Sequence, residues 1–572
     1  MGTSRAEERL LCAFGLSKEA PIRFESCEAL PFGGVMLLLP FLLECGLLSY
    51  RGSYSERSSG YYNFDSLFIL IAFLNLCRIK SFEQTKLYSP GEFGKLIGYD
   101  RIPEVKTLRN MVREITDQNR TGEWTAALSK SWIDEENPEL YYVDGHVQVY
   151  HGYLAHLGKK HVSRQRLCLP GVMEFWINAS DGSPYFFVTA EVNEKMGEML
   201  LEEIIPELLK LHPVSDERKK RMEENPKEPL FTLVFDREAY SLSLFARLWN
   251  TYRIAVITYR KNVKDQWDES LFTDYTVATS LGEVEMKLHE QSFSHNECPM
   301  REVRKLGSEG HQTSIVTTNQ VLPITSIASH MFARWTQENF FRYMRQEYAL
   351  DKIIQYSVDN IDNDIKIVNQ EYNNITHRIK KEREKLSRRK ATLYALEQKN
   401  PLEETGKESE NKKWMKAKLE LLENIQAIEQ LVEKLINERK KIPYKIPLSQ
   451  MPEAIRYNQL NKESKRLQNA IKMICYRSET ALARLLAPNY KRASHEIRAL
   501  IKAIIHTPIN MEVDLKNELI KITLFPLSNQ RSNVAVSKIC NTVNETKTVY
   551  PGTKLRLFFK IATMEFGPGQ EF

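Results

Sequence analysis

Residues 331–352 read MFARWTQENFFRYMRQEYALDK, and within them Glu338 lies four residues from Arg334, four from Arg342 and seven from Arg345. At about 100° per residue these four side chains share one narrow face of a helix. A carboxylate can hold a cation, and guanidiniums can grip anionic oxygens in a fork. Such a face is either a solvated surface, its Glu/Arg pairs contributing a few tenths of a kcal/mol each, or part of a site completed from upstream. Other charged sets are equally two-sided. Lys159, Lys160, Arg164 and Arg166 either track a DNA backbone or keep a hairpin soluble. Trp267 and Trp335 suit either base stacking at an opened DNA end or a protein core. His146, His151, His156 and His161 recur every five residues, which fits neither helix nor strand facing and argues against a metal cluster.

The elements that must position these residues change character along the chain. In 331–352 no Gly or Pro interrupts the helical spacing, and Ala333, Phe340, Phe341, Met344 and Tyr348 form an apolar stripe beside the charged face. Upstream the period is that of strands. Residues 140–150 (LYYVDGHVQVY) alternate; 162–169 and 172–179 predict two further strands, and 178–184 (NASDGSP) a turn into a strand at 185–190. An apolar stripe predicts a helix over 196–211, followed by a charged linker. Residues 230–235 (LFTLVF) are continuously apolar, as in a strand buried on both faces, and end at Asp236. A helix over 239–249 and a strand over 254–259 follow, then strand-like stretches at 275–279, 284–288 and 313–317.

A chain of 572 residues with 42% apolar and 10% aromatic content exceeds one domain and fills at least one large core. A net charge of +6 is mild at this length, so basic surface must be local. Eight cysteines occur without a C-x-x-C pair, which argues against a zinc ribbon or disulfide framework and suits a reducing compartment. The apolar runs 35–48 and 67–77 fall short of the roughly 20 residues a spanning helix needs and predict buried helices. The acidic start does not read as a signal peptide, and the expectation is a soluble, cytoplasmic protein with no membrane partner.

Residues 1–136 predict a helical N-terminal region. Within it, 89–115 reads as two helices around a Gly-containing turn, compatible with a helix-turn-helix whose second helix carries Lys106, Arg109 and Arg113, or with a plain helical pair. After residue 352, Ile354, Val358, Ile361, Ile365, Val368, Tyr372, Ile375 and Ile379 follow steps of three and four, and a second seam runs from Trp414 to Leu435. Pro401 and Gly406 lie between, predicting a coiled-coil helical hairpin over 353–445. Residues 446–572 predict helices at 463–486 and 495–505 and strands at 519–525 and 554–561, without an assigned role.

The order of three or four strands, helix, strand, helix, strand and later helix resembles a ribonuclease-H-like α/β core. With RWTQEN around Glu338 and VFDRE around Asp236, the chain resembles DDE transposases of the bacterial insertion-sequence type, whose third carboxylate lies within Y-x2-R-x3-E-x6-K. Arg334-x3-Glu338 matches that pattern; Arg345 stands in place of the lysine and Met331 in place of the tyrosine.

The resemblance implies a catalytic domain over 137–352 with a β-rich insertion at 261–320. It implies Asp144, Asp236 and Glu338 as catalytic carboxylates holding two Mg²⁺ or Mn²⁺ ions, since hard cations take oxygen ligands. Arg334, Arg342 and Arg345 become phosphate contacts. Apart from the resemblance, His146 lies two residues beyond Asp144 on the same strand face and is a candidate supporting or proton-handling group. The implied activity is cleavage and joining of an element's ends to target DNA by a homodimer, in the cytoplasm and on the nucleoid. The alternatives are a nuclease of the same fold and a catalytically inactive, domesticated DNA-binding protein.

Overall fold

The computed structural model describes residues 5–56, 60–150, 157–162, 166–279, 282–332, 335–350, 358–359, 366–398, 408–447, 450, 459–460, 462–490 and 494–562. At 335–338, 358–359, 366–367, 408–410, 459–460, 462 and 494–495 only the backbone is described. The chain forms two compact units. One comprises Met1–His151, Lys159–Ser357 and Leu460–Phe572; the other comprises Gly152–Gly158 and Val358–Gln459.

The first unit is built on a mixed sheet. Its strands are β1 (Leu140–Val149), β2 (Leu167–Asn178), β3 (Pro184–Glu191), β4 (Phe231–Phe235), β5 (Ile254–Tyr259), β6 (Thr273–Thr279), β7 (Gly282–His295), β8 (Cys298–Leu306) and β9 (Gln312–Thr317), with a short strand Lys159–Val162 beside β2. They lie in the order β3-β2-β1-β4-β5-β9-β8-β7-β6. β1, β4 and β5 are mutually parallel, and β2 and β3 antiparallel. β4 lies between two parallel neighbours, and all five of its residues are buried, the reason its sequence is unbroken FTLVF. Four antiparallel strands, β6–β9, extend the sheet beyond β5.

β2 departs from the sequence expectation of two strands divided at Pro170–Gly171. The strand runs through, because Gly171 has no Cβ to strike the Gln148 carbonyl oxygen, which would lie 2.1 Å away. Pro170 needs no N–H there, and its carbonyl accepts from Tyr150 N–H at 2.9 Å.

The helices used below are α1 (Phe64–Leu76), α2 (Val105–Thr116), α3 (Ile324–Phe332), α4 (Trp335–Tyr348), α5 (Gln370–Glu397), α6 (Glu408–Lys440), α7 (Lys462–Leu486) and α8 (Ser494–His506). Of the stretch expected as one helix over 331–352, residues 331–332 end α3 and 335–348 form α4, while 333–334 and 351–352 lie outside the described residues. α4 ends at Tyr348, where Ala349 takes a positive φ of 49° and Leu350 N–H turns back to the Met344 carbonyl at 3.1 Å. Its stripe is as expected where described: Phe340, Phe341, Met344 and Tyr348 are buried. The expected linker after residue 211 contains a helix, Asp216–Glu224. It lacks an apolar stripe and is anchored by buried Arg218 and capped by Ser215, whose hydroxyl accepts from Arg218 N–H at 3.2 Å.

One core joins both ends of this unit's chain: Phe68 and Phe73 of α1, Tyr141 and Trp176 of the sheet, Phe340 of α4 and Ile471, Met473, Ile474 and Cys475 of α7 belong to one buried cluster. The N-terminal region is not wholly helical, since Cys27–Leu30 is a strand paired with Ile509–Asp514. The apolar run Gly33–Gly52 is long and apolar enough to cross a membrane; two thirds of its most apolar window is buried inside the molecule. It forms 3-10 turns flanking a short helix, Leu39–Glu44, and Val35 to Leu39 are fully enclosed.

In the second unit α5 and α6 pack antiparallel through Ile375, Ile379, Val432 and Leu435, and the Trp414 indole donates to the Leu396 carbonyl at 2.9 Å. Of the helical seam expected from Ile354, Ile354, Ile361 and Ile365 lie outside the described residues. Val358–Asp359 and Lys366–Val368 are strands, and α5 starts only where Asn369 caps Glu371 N–H at 2.9 Å. The β-branched Val358, Ile367 and Val368 favour strand over helix, overriding the three-four spacing at those positions.

Candidate active site

On the parallel pair β1–β4, Tyr142 faces Val234 and Val143 faces Phe235. Side chains alternate along a strand, so Tyr142, Asp144 and His146 share one face of the sheet, as do Val234 and Asp236. That face is covered by α3: Tyr142 and Val234 cluster with Ile327 and Met331. At His146 it is covered by α4, whose Phe341 ring stacks on the imidazole at 5.1 Å and 21°. Asp144 and Asp236 each follow the register pair Val143–Phe235 by one residue, Asp144 within β1 and Asp236 just past the end of β4.

Both carboxylates are half-buried and locally anchored. Asp144 Oδ1 accepts from Gly145 N–H at 2.8 Å. Asp236 Oδ1 accepts from Arg237 N–H at 2.7 Å, capping the 3-10 turn Arg237–Ala239 that ends β4. Asp144, His146, Lys160, His161, Glu238, Arg342 and Arg345 line one cleft of about 550 Å³. Lys160 Nζ lies 3.6 Å from Glu238, holding the short strand Lys159–Val162 at the cleft edge. Arg342 is exposed and Arg345 half-buried. The fold thus brings Asp144, His146, Lys160, Arg342 and Arg345 to one cavity, although they are scattered in sequence.

Glu338 lies on α4 one turn before Phe341 and Arg342; its side chain, with that of Trp335, and all of Arg334, Arg164, His151 and His156 fall outside the described residues. Among the described residues no group of three or more His, Cys, Asp or Glu side chains is assembled to hold a metal ion. Asp144 and Asp236 are two of the three expected donors. As paired oxygen-only ligands on one sheet face, they fit a hard divalent cation in type.

Other predicted residues lie elsewhere. Lys106 and Arg113 are exposed on α2, whose Leu108, Met111, Val112 and Ile115 are buried, while Arg109 is ion-paired with Glu83. Lys159 and Arg166 are exposed. Trp267 is half-buried with the Arg304 guanidinium 4.1 Å from its ring, a packing role in the β6–β9 segment.

Two acidic residues were not singled out from sequence. Glu238 has a weak signal, lying two residues past Asp236. Glu174 has none. It is the register partner of His146 and fully buried, and its carboxylate accepts from Trp176 Nε1 at 3.1 Å, Asn469 Nδ2 at 2.9 Å and Gln148. Burial raises its pKa, against the pull of Lys465.

A family model described as Transposase protein matches residues 1–563 of the chain. The chain belongs to that family, a class of proteins that act on DNA. Among solved structures it is similar to the piggyBac transposase in a synaptic complex with hairpin DNA, at 12% identity and a TM-score of 0.28. That similarity covers 55% of this chain and 65% of the other, less than two thirds of its length. No curated protein sequence matches the chain.

Proposed function

We propose that the five strands β3-β2-β1-β4-β5, three parallel and two antiparallel, form a ribonuclease-H-like catalytic core, and that this transposase cuts and joins DNA by metal-dependent phosphoryl transfer. The observation that supports the reading is the register of β1 and β4, in which Asp144 and Asp236 each follow the pair Val143–Phe235 by one residue, with Asp144 opening on a cleft that also holds Lys160, Arg342 and Arg345.

Asp144, Asp236 and Glu338 are the residues that would hold two Mg²⁺ or Mn²⁺ ions. Such ions supply an activated water or 3′-hydroxyl and charge stabilisation at the leaving oxygen. The chain's own cations do the rest. Arg342, Arg345 and Lys160 line the cleft and would grip phosphate oxygens, and Arg334 extends the same helical face. His146, wedged between β1 and Phe341, keeps the strand carrying Asp144 in contact with α4. Lys106, Arg113, Lys159 and Arg166 offer backbone contacts outside the cleft, and the basic residues of α5 offer a further track. The substrate is then the ends of an insertion sequence and a target duplex. Pairing of two ends calls for a homodimer, working in the cytoplasm on the nucleoid.

The test is Asp236→Asn, assayed on a duplex made from the DNA flanking the coding region. Asn keeps the size of the side chain and removes the charge that holds a divalent ion. Cleavage and joining in Mg²⁺ should vanish while binding of the duplex persists. Cleavage at the wild-type rate would defeat the metal mechanism; cleavage without joining would make the protein a nuclease; and a wild-type chain that binds but does neither would make it a DNA-binding protein.

A further inference from the structure

The cleft face of α4 carries Arg342 and Arg345, and its opposite face is held by charges withdrawn from water. Glu479 of α7 is fully buried and accepts from Arg78 Nη2 at 2.6 Å, Tyr343 Oη at 2.8 Å and Arg498 Nη1 at 3.2 Å. Arg78 also donates to Tyr343 Oη at 2.8 Å, and its Nε lies 2.9 Å from Glu347 Oε2. Lys502 of α8 reaches Glu347 at 3.0 Å, and Lys80 donates to the Gln346 carbonyl at 2.6 Å. Tyr343, Gln346 and Glu347 all belong to α4; their partners come from just after α1, from α7 and from α8.

Burying charge this deeply costs solvation that close pairing only offsets, and apolar side chains of equal volume would pack α4 at least as firmly. What the cluster adds is direction. Hydrogen bonds are angular, so bonds to Tyr343, Gln346 and Glu347 fix both the rotation of α4 and its position along its axis. The apolar stripe of Phe340, Phe341 and Met344 resists separation from the core far more than it resists sliding. Arg78 itself has a φ of 64°, a left-handed conformation that glycine adopts without steric strain. The arginine there supplies a side chain to the cluster at the expense of local backbone strain.

We propose that Glu479 and Arg78 are positioning residues of the active site. They hold α4, through Tyr343 and Glu347, at the rotation and height that bring its Glu338, Arg342 and Arg345 face over Asp144 and Asp236. Neither touches DNA, and the inference rests on the assignment of the active site given above.

The mildest test is Tyr343→Phe, which removes one hydroxyl, keeps the ring and leaves the Glu479–Arg78 ion pair to support folding. On the duplex made from DNA flanking the coding region, binding should stay within about twofold of wild type. The cleavage rate constant should fall about ten- to hundredfold, as sub-ångström misplacement of reacting groups does. Half-saturation for Mg²⁺ should rise and the melting temperature should stay near that of wild type. Glu479→Gln should show the same split between binding and turnover, with a lower melting temperature. Wild-type turnover in both variants, with Asp236→Asn inactive, overturns the positioning role. Equal loss of binding and turnover alongside a lowered melting temperature in Tyr343→Phe overturns it too, leaving the cluster a purely structural part. If Asp236→Asn is itself fully active, it is the active-site reading that fails.

Discussion

Val143 of β1 and Phe235 of β4 are register partners on parallel strands, and each is followed directly by a carboxylate, Asp144 within β1 and Asp236 at the end of β4. Two carboxylates held this way repel unless a cation lies between them, and either one alone is a poor site. Asp144→Asn and Asp236→Asn should therefore each abolish Mg²⁺-dependent cleavage, and the double variant should be no worse than either single one. Single-turnover cleavage of a labelled duplex measures this; additive losses would mean that the two act separately.

Arg345 lines the cleft from α4 with Arg342. Arg345→Ala should weaken duplex binding and lower the slope of log affinity against log salt by about one, the signature of one lost phosphate contact. Arg109→Ala, whose guanidinium is committed to Glu83, should change that slope less.

His212 is buried on the far side of the sheet, its Nδ1 2.8 Å from the Tyr141 hydroxyl. Burial, aided by nearby Arg218, lowers its pKa from 6.5 to about 4. The unfolded chain thus takes up a proton as pH falls below 6.5 while the folded chain does not, so stability is full above 6.5 and is lost towards pH 4. The loss should be about 3 kcal/mol. Urea unfolding of wild type and His212→Gln between pH 7 and 4 should show the dependence flattened in the variant.

Gly34 joins the N-terminal segment to α8: its N–H donates to the Thr507 carbonyl at 3.0 Å, and an added Cβ would fall 1.8 Å from the Ile504 carbonyl oxygen. Backbone cannot swing aside as a side chain can, so Gly34→Ala should cost more than about 3 kcal/mol, whereas Gly52→Ala, with open space around it, should stay within about 0.5 kcal/mol. Denaturant midpoints of the two variants make the comparison.

Periodicity by itself determined where strands and helices alternate from Leu140 onward, which side chains of α4 are buried, and that Asp236 closes an enclosed strand, because these depend on local side-chain facing. The resemblance in DRE and RWTQEN named the carboxylates. Tertiary structure decided what stands next to them. Glu174 is buried beside His146 through a strand pairing that no local pattern records. α7 shows the limit most plainly. Its Asn469, Lys472, Arg477 and Glu479 are polar or charged, yet residues 471–480 are all buried, as is Asn469. A periodic reading assigns charge to water because an unpaired buried charge is prohibitive. Here the partners exist, in Glu136 for Arg477 and in Arg78, Tyr343 and Arg498 for Glu479, but each lies far away in the chain, and only the folded core brings them within reach.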